Sequence, residues 1–251
     1  MPVLLKLEEL DLVKAEVENH LMVKTVAHVR ELADLDNIDI NDFIYPALII
    51  VSVKLFNDKK KDIAVQYAVI LQLIHIASKI HFNITESCAK PYPEALPKKG
   101  YQFPVLVGDY LYSKFFTLLS ENGGLSHLEL LSELICSISA GGILRKEHAK
   151  LTDSLIKEIV YKEVGSFCSM AAYIGALIAD ADDRHSKYMR DFGLNFGLGY
   201  GLLKWKVAKN NALLYIDKAK TILNMLEDVN LDAKRNLLTL ADDVTLMVER
   251  T

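Results

Sequence analysis

A chain of 251 residues with 51% hydrophobic residues is long enough to bury one sizeable core. Its net charge of −4 lacks the basic footprint of a nucleic-acid binder, so no nucleic-acid partner is expected. The acids gather at one end: residues 1–50 hold 10 Asp and Glu against 4 Lys and Arg, and such an arm reads as a solvated helix face.

Three cysteines, Cys88, Cys136 and Cys168, lie far apart with no CxxC spacing. They suggest neither zinc nor a disulfide framework, and fit a reducing compartment. The opening MPVLLKLEEL has acids where a signal peptide would have bases, so a cytoplasmic protein is expected.

Leu4, Leu7, Leu10, Val13, Val17 and Leu21 recur at helical spacing. They predict one or two amphipathic helices over residues 3–34. Residues 36–41 are polar and turn-like, and Pro46 suits the start of a helix through Ser52. NDKKKD, residues 57–62, reads as a solvated turn. The following stretch, DIAVQYAVILQLIHIASKIHFNITE, residues 62–86, is apolar almost all the way round. A helix of this kind is buried on every face or sits in a membrane. Gln66, Gln72, His75, Ser78 and Lys79 keep it below the roughly 18–20 apolar residues that a span needs. It is predicted to be the central helix of an all-α core.

Pro91, Pro93, Pro97 and Pro104 forbid continuous helix after Glu86. A new helix opens at Val105. Its Gly108 permits close approach of a neighbour, and its Asp109 needs a partner within an apolar run. Asn122-Gly123-Gly124 ends it. Further helices are predicted over 125–144, stopping near Gly141-Gly142, and over 154–179. Gly193, Gly197, Gly199 and Gly201 would each weaken an isolated helix by up to about 1 kcal/mol, so that helix makes sense only where neighbours pack very closely. On the helix over 105–119, Tyr110, Leu111, Phe115 and Leu118 fall to one side. Tyr112, Phe116 and Leu119 fall to another, which is expected at a dimer interface.

Ile74-His75-x-Ala77-Ser78-x-Ile80-His81 resembles the trans-polyprenyl diphosphate synthase family, whose central helix reads IHxASLIHDDxxD. VLVGDYLYSK at 105–114 is similar to the family's VLVGDYLFARAF, and the segment around Pro46 to its RPALVLLSA. Residues 173–179 resemble LGALLAG, and residues 192–205 resemble FGENLGLAFQIVDD. The resemblance implies a single all-α domain over 1–251, an isoprenoid-synthase-type helical bundle. It also implies an internal truncation after Val207, because the segments at 219–226, 235–241 and 248–250 resemble the family's last helices.

The ligand positions depart from the family. The aspartates that hold magnesium on an allylic diphosphate are replaced by Phe82, Asn83 and Glu86. The second cluster is replaced by Lys204 and Trp205, with Ala208 at its third aspartate. The Gly-Lys-Arg turn that holds isopentenyl diphosphate reads Asn41-Asp42-Phe43-Ile44-Tyr45. The family's Arg-Arg loop offers only Lys90, Lys98 and Lys99, which meet phosphate without a bidentate fork. Lys162 lies near the family's Lys-Thr pair, but Glu163 follows it and its spacing to Gly175 is one residue long. Glu86 and Asp109 alone do not make the facing carboxylate clusters that magnesium needs. No catalytic residue, metal site or cofactor of its own is therefore expected, although a catalytic partner would use magnesium.

The chain is similar to the small subunit of two-component bacterial polyprenyl diphosphate synthases, which make hexaprenyl or heptaprenyl diphosphate for the menaquinone side chain. Known small subunits keep little of the family's second half, whereas this chain keeps the Gly-rich helix and the end. The resemblance implies a non-catalytic subunit that pairs with a catalytic synthase chain, or with a second copy of itself. The alternative is a stand-alone isoprenoid-binding or scaffold protein on a decayed synthase fold, with Ala77, Ser78 and Phe82 lining its cavity.

Overall fold

The computed structural model describes residues 7–21, 43–83 and 102–246. Every regular element among them is helical. The α-helices are α1 (Glu8–Leu21), α2 (Ile44–Phe56), α3 (Lys61–Asn83), α4 (Gln102–Glu121), α5 (Leu128–Glu147), α6 (Asp153–Val160), α7 (Ser166–Ile178), α8 (Asp183–Lys204), α9 (Lys209–Asn224) and α10 (Leu231–Leu246). Short 3-10 turns at Asp58–Lys60 and Gly124–His127 precede α3 and α5, and a π-helical turn, Tyr161–Gly165, joins α6 to α7.

The all-round apolar stretch is the centre of the molecule. In α3 every residue from Tyr67 to Ile74 is buried, as are Ile76, Ala77, Ser78 and Ile80. The helix packs against α1, α2 and α4. A large aliphatic or aromatic side chain taken out of water contributes about 1.5–3 kcal/mol, so this helix anchors the core. Gln72 is fully buried among these residues, and neither its amide nitrogen nor its amide oxygen has a hydrogen-bond partner. By length and composition two helical stretches could cross a membrane, Asp58–Phe82 and Gly124–Glu147. The first is this core helix; the second is only 28% buried and so carries an open apolar face.

The glycines of α8 behave as their spacing demands. A Cβ at Gly193 would strike the carbonyl of Cys168, one at Gly197 would lie 2.8 Å from the carbonyl oxygen of Val164, and one at Gly199 would press on Ile216 and the Ala212 carbonyl. The helix is thereby clamped between α7 and α9. On α4, the His81 ring closes on Gly108 so tightly that a Cβ there would strike it, which is the close approach that glycine permits.

Several expectations need correction. The buried row of α4 is Val107, Leu111, Phe115 and Leu119, a strict i, i+4 series, so Leu119 belongs to the core and not to an exposed face. Asp109 is not in the core: its side chain is 62% exposed and sits 3.5 Å from His81. Gly141-Gly142 does not end α5, which continues to Glu147. The helix over 154–179 is broken in character by its π-turn. The lysine turn is not wholly solvated, because Lys60 donates to the Ile178 carbonyl at 2.8 Å and pairs with Asp180 at 2.5 Å, closing the end of α7. Glu86, Asn41, Asp42, Lys90, Lys98 and Lys99 lie outside the described residues, as do Cys88 and the segments at 22–42 and 247–251.

Candidate functional site

Two helix ends define the site: the C-terminus of α3, with Phe82 and Asn83, and the C-terminus of α8, with Lys204 and the following Trp205. The C-terminal turns of α5 lie between them. The Phe82 ring packs directly on Gly142, where any Cβ would fall inside it. Three residues further along α5, the Arg145 guanidinium stacks 5.3 Å from the centre of the Trp205 ring. Phe82 and Trp205, both half-buried, are thus each met by a residue of one helix, α5. Neither offers an oxygen to a metal.

Arg145 also forms an ion pair with Glu163. Glu163 stands in the π-turn, and its side chain is only 10% exposed. Gly141 makes room for it, since a Cβ there would lie 2.6 Å from Glu163 Cγ. Burial holds the Arg145 guanidinium below its ordinary pKa. The pair is incompletely satisfied: Arg145 Nε and Glu163 Oε1 are buried without a hydrogen-bond partner. The one-residue excess between Lys162 and Gly175 has a structural counterpart here. A π-turn absorbs one extra residue in a helix. Lys162 packs its Cβ near Gly141, and its carbonyl accepts from Ser137 at 3.1 Å and from Ser166. The pairing of Arg145 with Glu163 escaped sequence reasoning because no motif names Arg145; only the odd spacing after Lys162 pointed to the turn.

Below this layer is an aromatic cluster. Tyr45 stacks on Phe167 at 3.9 Å between centroids, and His75 meets Tyr45 edge-on at 4.9 Å. Phe43 and Tyr45 are buried, so the turn that in the family carries cations here ends in aromatic packing. Desolvation in this cluster, reinforced by the charges of Lys79 and Lys204, holds the His75 imidazole well below the usual histidine range. Both ammonium groups therefore act on the same region between α3 and α8.

The residues expected to line a cavity lie on the inner side of α3. Ala77 is fully buried, and Ser78 donates to the Ile74 carbonyl at 2.8 Å and shares a 2.9 Å hydrogen bond with Tyr112. Tyr112 in turn stacks on His81. Of the three interface residues, only Phe116, 49% exposed, presents a large surface. Ala208 opens α9 with φ of +50°, a left-handed conformation that costs a non-glycine residue roughly 1–2 kcal/mol. It contributes no ligand atom beyond its backbone. Among the described residues no three His, Cys, Asp or Glu gather as a metal site requires. The described residues at the motif positions, Phe82, Asn83, Lys204, Trp205 and Ala208, carry no carboxylate and do not fit magnesium.

Comparison with known proteins gives the site its context. The polyprenyl synthetase family model matches residues 43–203. Octaprenyl diphosphate synthase of Escherichia coli is 24% identical over 144 residues, 55% of this chain and 45% of that protein. Decaprenyl-diphosphate synthase subunit 2 of Schizosaccharomyces pombe is 26% identical over 193 residues, 72% of this chain and 60% of that protein. The chain spans about half the length of the first curated relatives it matches. Among solved structures, a decaprenyl diphosphate synthase from Rhodobacter capsulatus superposes with a TM-score of 0.77 at 18% identity, over 97% of this chain and 96% of that one. That likeness establishes the isoprenyl-synthase helical fold. The chain belongs to the polyprenyl synthetase family.

Proposed function

We propose that this chain is a non-catalytic subunit of a polyprenyl diphosphate synthase, acting in the cytoplasm beside a catalytic chain that carries the magnesium chemistry. The observation that carries the reading is the filling of the site by the protein itself. Phe82 packs into Gly142, and Trp205 lies under an Arg145 already paired with Glu163, at the positions where the family places its metal-holding carboxylates. A benzyl ring and an indole cannot ligate magnesium, and a guanidinium repels it. The similarity to a protein described as subunit 2 of a decaprenyl-diphosphate synthase supports a multi-subunit enzyme. The product class follows the resemblance to small subunits: a long-chain prenyl diphosphate such as the hexaprenyl or heptaprenyl precursor of the menaquinone side chain.

Pairing would use the open side of the bundle. Leu106 and Phe116 on α4, and Leu125 and Ile143 at the two ends of the α5 stretch, are 64%, 49%, 57% and 56% exposed. Exposed apolar groups that lie together mark contact surfaces, and these four are the candidates for such a surface. In the absence of the synthase a second copy would cover them. The test is co-expression with a synthase chain that has both aspartate clusters, followed by light scattering on the purified material. The expected result is a one-to-one complex that Phe116→Glu weakens, because a carboxylate buried without a partner is costly. A wild-type monomer that ignores the synthase chain would refute the pairing and favour a lone isoprenoid binder.

A further inference from the structure

We propose that Arg145 is the cation of an anion-binding site whose present occupant is the chain's own Glu163 carboxylate, and that removing this carboxylate opens the site to a diphosphate-sized anion without any metal. A guanidinium stacked on an indole and partly desolvated, with 39% of its side chain still exposed, favours an anion beside it. Here that anion comes from the protein: the π-turn aims Glu163 across Gly141 at Arg145. The fit is imperfect in an informative way. Arg145 Nε remains a buried donor with no acceptor, and Glu163 Oε1 a buried acceptor with no donor, so the carboxylate does not use the full fork that a guanidinium presents. A ligand with more oxygens can.

The surroundings favour an anion over a cation. Lys204 immediately precedes Trp205, and its charge, with that of Lys79, reaches the buried His75. Two ammonium groups thus act on the region between the ends of α3 and α8, beside the Arg145 guanidinium. Metal-bridged recognition of diphosphate has no carboxylates to stand on at the described motif positions, but direct recognition by guanidinium and ammonium groups needs none. In the wild-type chain an external anion must displace a carboxylate tethered in place, and tethering gives that carboxylate a high effective concentration.

The site reading is independent of subunit pairing, which is judged by particle mass, so either can fail alone. The experiment is calorimetric titration of the full chain with inorganic pyrophosphate, in chelator and at low salt. Wild type is expected to show little binding. Glu163→Gln, which keeps the shape and removes the charge, should bind at least about tenfold more tightly, with an affinity that falls as salt is raised. Arg145→Met in the Glu163→Gln background should abolish the gain. A folded Glu163→Gln protein that binds no better than wild type would overturn the proposal. So would a double variant that binds as well as the single one. Glu163→Ala is titrated in parallel in case the amide disturbs packing. Should both single variants unfold, recovery of a cooperative melting transition on adding pyrophosphate supports the site, and no recovery overturns it.

Discussion

Adding one methyl group at Gly142 tests whether Phe82 truly fills the place of the first lost aspartate. Gly142 lies inside α5, where alanine is better than glycine by about 0.5–1 kcal/mol if nothing obstructs it. Something does obstruct it: the Cβ would fall within the Phe82 ring, and its three nearest ring atoms are all too close for contact. Overpacking of this kind typically costs about 1–3 kcal/mol. Gly142→Ala should therefore destabilise the protein by about 1–2 kcal/mol, a swing of roughly 2–3 kcal/mol from the helix-propensity expectation. In a Phe82→Asp background the ring is gone, and the same Gly142→Ala change should become neutral or stabilising. The double-mutant cycle then gives a coupling of about 2 kcal/mol, well above the scatter for independent sites. Urea unfolding followed by circular dichroism supplies all four stabilities. Additive effects, or a stabilising Gly142→Ala in the wild-type background, would refute the packing of Phe82 on α5.

Two further outcomes follow from the core. Gln72→Leu should raise stability by about 1–2 kcal/mol in the same unfolding assay, because it removes a buried amide that bonds to nothing; a loss would mean that the amide has a partner. Acidification should weaken the fold. Burial holds His75 well below the usual histidine pKa, and holds His20 and His127 below it too. The native state then resists protons that the unfolded chain accepts. Stability is full above about pH 6.5 and falls as pH drops below it, by at most about 1.4 kcal/mol per pH unit for each group and less for the half-exposed His20 and His127. His75→Gln should flatten that slope; an unchanged slope would remove His75 from the account.

The sequence made the scaffold readable because its signals were local. The unbroken apolar coat of residues 62–81 and the glycine series of α8 each have one structural meaning in a helical protein, and α3 and α8 adopt it. The departures proposed at positions 82, 204, 205 and 208 are equally legible, since a motif defines where to look. What periodicity could not decide was which of two apolar rows on α4 faces inward, and Leu119 was assigned to the wrong one. The occupants of the site were hidden for a different reason. Arg145 belongs to no motif, and Glu163, noted only as a departure beside Lys162, is 18 residues away from it. Only a π-turn and two adjacent glycines bring them together, and Gly141-Gly142 reads in isolation as a helix stop.

The central claim is that the chemistry belongs to another chain. It is tested by incubating this protein alone, a synthase chain alone, and the two together with magnesium, isopentenyl diphosphate and a labelled allylic diphosphate, then measuring prenyl transfer. The account predicts no turnover above an enzyme-free blank from this chain, and more or longer product from the mixture than from the synthase alone. Chelator-sensitive turnover by this chain on its own would contradict it.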